Sequence, residues 1–203
     1  MICTSRSTGD IHDQSAHRLA RSSCLRAVVT PDRITKIAWD WGADGADHAE
    51  IVRNPDGWQI SGANGATRYR ITTDASGAAT KLNVNTTQEL TLRRGSQGWW
   101  YPDGRLIAGS ANALDPDIAC TALTNTLPIR RLGLAIGATA EIDVLYIPVP
   151  ALEPAIVRQC YTRQADGYLY ENRDSGFRAF LSVDAEGWVT HYPGVCDMME
   201  PSQ

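Results

Sequence analysis

The chain has no surplus of positive charge: 19 basic side chains stand against 23 acidic ones over 203 residues, a net charge of −4. Gripping a nucleic-acid backbone requires cations to neutralise phosphates, so that class of partner is not expected. Metal and disulfide spacings are also missing. The five cysteines, Cys3, Cys24, Cys120, Cys160 and Cys196, are odd in number, far apart and free of any C-x-x-C pair, which argues against both a zinc ribbon and a disulfide scaffold. The four histidines, His12, His17, His48 and His191, have no metal-ligand spacing, so neither a metal nor a cofactor is expected. Nucleophile elbows, Walker loops and dinucleotide glycine fingerprints are absent as well.

No uninterrupted apolar run has the length of a signal peptide or a membrane span. The first 30 residues are broken by charges from Arg6 to Arg26, and Leu132 to Leu152 is interrupted by Glu141 and Asp143, each costly at a bilayer centre. A cytoplasmic protein with reduced thiols, not spanning a membrane, is the expectation. With 43% hydrophobic and 21% charged residues, the composition is ordinary for a globular chain, and this length buries roughly 70% of its unfolded surface without a metal or disulfide.

Residues 1–30 are polar, Ser- and Arg-rich, with a weak helical spacing through Ile11, Leu19 and Leu25; a disordered tail or one loose helix is expected. Beyond Thr35 the punctuation changes to turn pairs, among them Asp56-Gly57, Asp103-Gly104, Asp166-Gly167 and Glu186-Gly187, typical of antiparallel hairpins. Between them the apolar period is two, as in Tyr69, Ile71 and Thr73 or Ile142, Val144 and Tyr146, and no 3.6-residue stripe is sustained after Thr30. At an offset of 110 a gap-free weak repeat aligns Asp56-Gly57-Trp58 with Asp166-Gly167-Tyr168, Arg68 with Arg178, Asp74-Ala75 with Asp184-Ala185, and Gly77 with Gly187. Turn chemistry alone recruits Asp and Gly repeatedly, but the matched Arg and Ala and the constant register favour duplication. The expected fold is all-β: one large antiparallel sheet curled into a barrel-like shape around a cavity, made of two weakly repeated meander halves. A domain over 31–197 is expected between the tail and a short C-terminal tail at 198–203.

The segment Leu123-Thr124-Asn125-Thr126-Leu127-Pro128-Ile129-Arg130-Arg131-Leu132, followed by Ala140-Glu141-Ile142, Tyr146-Ile147-Pro148-Val149-Pro150, Gln159-Cys160-Tyr161-Thr162, Tyr168-Leu169-Tyr170-Glu171 and Val183-Asp184-Ala185-Glu186-Gly187, resembles the putative glycolipid-binding family of bacteria. The chain departs from that pattern at Cys160 and at Val195-Cys196. The resemblance implies a closed or nearly closed β-barrel-like fold with a large cavity, and an amphipathic small molecule or glycolipid as partner. Binding or carriage of that ligand is the first reading. An isomerase, cyclase or hydrolase using the same cavity on an apolar substrate is the second.

On an extended segment Arg130 and Arg131 point to opposite faces, so one of them faces inward and needs an anionic partner. That partner is either a ligand phosphate or carboxylate, with Asn125 beside it, or a structural acid such as Glu141, Asp143 or Glu171. Trp99, Trp100, Tyr161, Tyr170 and Tyr192 are candidate cavity-lining rings, each with an apolar body and a polar tip, against the alternative of core packing. His191 is considered as an acid/base partner for Glu50 or Asp40.

Overall fold

The computed structural model describes residues 33–200; the expected N-terminal tail lies outside them. Strands β1 (Arg33–Asp40), β2 (Ala46–Asn54), β3 (Gly57–Asn64), β4 (Thr67–Thr73), β5 (Ala79–Asn85), β6 (Glu89–Arg94) and β7 (Trp100–Pro102) follow one another as a meander. Strand β8 (Asp115–Ile118) leads into helix α1 (Leu123–Leu132). A second meander runs through β9 (Thr139–Ile147), β10 (Ala155–Arg163), β11 (Gly167–Asn172), β12 (Arg178–Val183), β13 (Val189–Tyr192) and β14 (Cys196–Met198).

All fourteen strands form one sheet in the order β7-β6-β5-β4-β3-β2-β1-β14-β13-β12-β11-β10-β9-β8. Its two halves join where β1 meets β14 through Trp39–Met198 and Asp40–Asp197. The sheet is curled but open, with β7 and β8 as edges, and the β8–β9 pair is parallel where every other pair is antiparallel. The period-two reading sets the faces: Thr67, Tyr69, Ile71 and Thr73 are buried while Arg68 and Arg70 are exposed. Fully burying side chains such as Ile71, Leu82 and Leu145 contributes about 1.5–3 kcal/mol each.

The 110-residue repeat has a structural counterpart. β3 and β11 begin at Gly57 and Gly167, and register shifts fall at Thr72/Thr73 in β4 and Ser182/Val183 in β12. The following turns have the same bonds. Gly77 N donates to Asp74 O, and Asp74 Oδ1 accepts from Ser76 N and Ala78 N. Likewise Gly187 N donates to Asp184 O, and Asp184 Oδ1 accepts from Glu186 N and Trp188 N. Both glycines hold positive φ, +86° and +83°, a region side chains disfavour.

One element departs from the sequence reading. Leu123–Leu132 is a helix, not an extended segment, and Pro128 lies inside it. Leu123 to Ile129 are all buried, the polar Thr124, Asn125 and Thr126 included, so that stretch has no solvent-facing side to set up a 3.6-residue stripe. Thr121 Oγ1 accepts from Leu123 N at the start, and Gly133 in the left-handed region closes the end, its N–H bonded to Ile129 O, as helix C-termini favour. The helix fills the interior: Leu123, Leu127 and Ile129 pack in one core with Trp39, Trp100, Tyr161 and Val189. The packed helix occupies the interior, and the open spaces are clefts that reach the surface, among them one of about 1270 Å³ along the first meander, lined by residues such as Ile37, Ala49, Tyr69 and Trp188. Among the described residues no helix is long and apolar enough to cross a membrane.

Candidate functional site

At the N-terminal end of α1, a cleft of about 550 Å³ opens between the helix start and the second meander. That volume is in the range that small-molecule sites use, roughly 300–1,000 Å³. Its wall is aromatic, with Trp41 after β1, Tyr146 of β9, Tyr170 of β11, Phe177 before β12 and Tyr192 of β13. Tyr170 sits 6.2 Å from Phe177 and 6.3 Å from Tyr192, ring centre to ring centre, and 5.4 Å from Tyr161 beneath it. Such separations are those of tilted and edge-on aromatic contacts.

The floor is polar. Asp117 of β8 accepts from Gln159 Nε2 at 2.6 Å and from Thr124 Oγ1 at 3.4 Å. Tyr161 OH donates to Gln159 Oε1 at 3.0 Å, and Asn125 Nδ2 donates to Tyr161 OH at 3.1 Å. Five side chains thus form one network from β8 through β10 to the first turn of α1. Burial pushes the Asp117 carboxyl above its usual range, against the lowering effect of its two hydrogen bonds. Burial also raises the phenols of Tyr170 and Tyr192, followed by the negative charge of Asp117, so both rings stay neutral at physiological pH. Among the described residues no Lys or Arg lines the cleft and none pairs with Asp117, which disfavours an anionic ligand there. The indole N–H of Trp41 is enclosed and has no acceptor among the described residues. A buried donor without a partner costs about 1–3 kcal/mol.

Beside this floor lies a second buried acid. Asp47, 0% exposed, accepts from Tyr69 OH at 2.9 Å and Thr121 Oγ1 at 2.5 Å. Burial pushes its carboxyl up to about 6, with the two hydrogen bonds opposing. Thr121 also lines the cleft and holds the start of α1, so this acid is one bond removed from the cleft floor.

The predicted site residues separate. Asn125, Tyr170 and Tyr192 line the cleft and Tyr161 supports its floor. Trp100 does not take part: it is 0% exposed, with its indole bonded to Ala113 O, and Trp99 just before β7 is outside the cleft too. Arg130 and Arg131 are at the other end of α1, by a pocket of about 190 Å³. Because the segment is helical, the two side chains do not take opposite faces of a strand. Arg131 forms a two-pronged pair with fully buried Asp115, at 2.6 and 3.1 Å, so its structural acid is none of Glu141, Asp143 and Glu171. His191 pairs with Asp197, not with Glu50 or Asp40. The sequence reading missed Asp117, Tyr146 and Phe177 as site residues; Asp115-Pro116-Asp117 gives no local sign that its second acid faces a cleft.

The model of a family described as putative glycolipid-binding matches residues 37–197. A solved structure of a DUF1089 family protein from Pseudomonas aeruginosa is similar at 33% identity and a TM-score of 0.61, covering 94% of this chain and 100% of that one. No curated protein matches.

Proposed function

Because the chain belongs to the putative glycolipid-binding family, we propose that its aromatic cleft binds the neutral, polyhydroxylated part of an amphipathic, glycolipid-like ligand. The observation that carries this reading is the cleft itself: an aromatic wall above a floor of hydrogen-bonding amides, hydroxyls and the Asp117 carboxyl, with a second acid, Asp174, in the lining and tied to Arg158. Sugar rings present apolar faces to aromatic rings and hydroxyls to carboxyl and amide groups, so both halves of that chemistry have a counterpart here. Asp117 accepts hydroxyl donors, and Asn125 stands beside it. The apolar part of the ligand leaves past Phe177, which is 45% exposed at the rim.

The test is binding of an alkyl glucoside, followed by calorimetry and by native mass spectrometry of protein isolated from its own host. Trp41→Ala and Tyr170→Ala each remove a wall ring and are expected to weaken binding about ten- to a hundredfold, from roughly 1.5–3 kcal/mol of lost burial. Asp117→Asn keeps the shape and tests the acceptor. Wild-type affinity in all three folded variants would overturn the reading.

A further inference from the structure

Arg130 and Arg53 place their guanidinium groups against the same two tryptophans. Arg53 Cζ is 4.8 Å from the Trp58 ring centre and 5.1 Å from that of Trp188; Arg130 Cζ is 4.9 and 5.6 Å from them. The two rings are 5.8 Å apart. Arg33 is directly opposite Arg53 in the β1–β2 ladder, an arrangement of like charges that is unfavourable unless countered.

The counter-charge is short. Glu186 pairs with Arg33 at 2.7 Å and Arg53 at 3.2 Å. Among the described residues Arg130 has no carboxylate within ion-pair distance, its protein acceptor being the Glu186 carbonyl. Arg53 Nε is enclosed and has no acceptor among the described residues. Arg131, already committed to Asp115, adds no free charge. Three guanidiniums therefore face Glu186, the neighbouring Asp184 carboxylate, and the negative end of α1, worth about half a charge. The balance remains positive. Burial and then the Arg53 charge lower the affinity of Arg130 for its own proton, as the crowding would require.

Arg130 lines the pocket of about 190 Å³, together with Trp58, Ser76, Gly77 and Leu127. This space is below the roughly 300–1,000 Å³ of drug-sized sites and suits a small anion or a single head group. We propose that this corner is an anion site for a phosphate or phosphomonoester group, held by the Arg130 fork with Arg53 and Arg33 supplying the surrounding positive field. Planar guanidinium groups recognise phosphate oxygens in pairs. The site is at the opposite end of α1 from the aromatic cleft and does not depend on the reading given to that cleft.

The experiment titrates the full chain with inorganic phosphate at constant ionic strength, reading heat and tryptophan fluorescence, and in parallel measures co-sedimentation with phosphatidic acid vesicles against phosphatidylcholine vesicles. Saturable binding by wild type is expected, at least tenfold weaker in Arg130→Met and partly restored in Arg130→Lys. Lys36→Met, an exposed control, is expected to bind as wild type. A response to free phosphate assigns the source to soluble phosphate compounds. A response only to phosphatidic acid vesicles assigns it to a lipid head group. Absence of both, or wild-type affinity in Arg130→Met, overturns the site. Should Arg130→Met fail to fold, equal binding by Arg130→Lys and wild type overturns the fork, and weaker binding by Arg130→Lys supports it.

Discussion

Gly77 and Gly187, 110 positions apart, occupy equivalent points in two equivalent turns, and each lies against one of two consecutive arginines: Gly77 beside Arg131, Gly187 beside Arg130. The duplicated halves thus clasp the C-terminal end of α1 from two sides with the same device. Their tolerances differ. A Cβ at Gly77 would meet Arg131 Cβ at an ordinary 3.8 Å, whereas one at Gly187 would meet Arg130 Cγ at 3.2 Å. Both alanine variants are expected to lose about 1–2 kcal/mol from the positive φ alone, and Gly187→Ala is expected to lose more. Urea unfolding of the two variants checks the ranking; equal losses would contradict it.

Arg131→Met leaves Asp115 buried without its partner. Breaking such a pair typically costs about 3–5 kcal/mol. Arg131→Met combined with Asp115→Leu is expected to recover much of that loss, because no charge then remains unpaired. A double-mutant cycle by chemical denaturation measures the coupling, and additive losses would mean the pair carries no special weight.

Asp47 gives stability a pH dependence with a definite sign. Its carboxyl is pushed from the usual 3.8 up to about 6 in the folded chain, so the folded state binds the proton more tightly than the unfolded state. The contribution is fully present below about pH 4 and lost as pH rises through 6, a change of about 3 kcal/mol. Asp47→Asn has no proton to lose. Its stability relative to wild type is expected to rise by that amount between pH 4 and pH 8, as followed by denaturant melts; a pH-independent difference would be the contrary result.

The thiols divide by environment. Burial pushes the Cys120 and Cys196 thiols up to about 12 each, leaving on the order of one part in ten thousand as reactive thiolate at pH 8. Labelling of these two in the native protein is expected to be at least a hundredfold slower than in the unfolded chain. Under denaturing, non-reducing conditions five thiols are expected, from the five cysteines of the sequence. A count of three or fewer would show pairing.

Strand faces, hairpin turns and the duplication were legible because each leaves a local mark: alternation at Tyr69 and Ile71, Gly at a positive φ, a constant offset. Helix α1 left almost none. With Leu123 to Ile129 buried all round, hydrophobicity carries no period there, and Pro128 reads as a breaker; only Gly133 after Arg130-Arg131 offers the usual stop signal. The site was legible in part. Aromatic residues announce themselves by type, which brought Tyr161, Tyr170 and Tyr192 forward, but Trp100 has the same chemistry and is sealed in the core. Which rings share a cleft is set by pairing across distant strands, and Asp117 reaches it only because β8 joins the sheet in parallel beside β9.

Among the described residues the open sheet ends at β7 and β8, and what lines those two ends determines what can happen there. β7 has three residues and ends at Pro102; β8 has four and contains Pro116. Proline carries no N–H, so neither edge can donate an unbroken row of hydrogen bonds to an incoming strand. Short edges interrupted by proline do not template the addition of a strand from a second molecule. The remaining groups are already engaged, Trp100 N by Ser110 Oγ, Trp100 O by Ile107 N and Ile118 N by Thr124 Oγ1, so a fourteen-stranded sheet that does not close on itself offers little to a second molecule at either end.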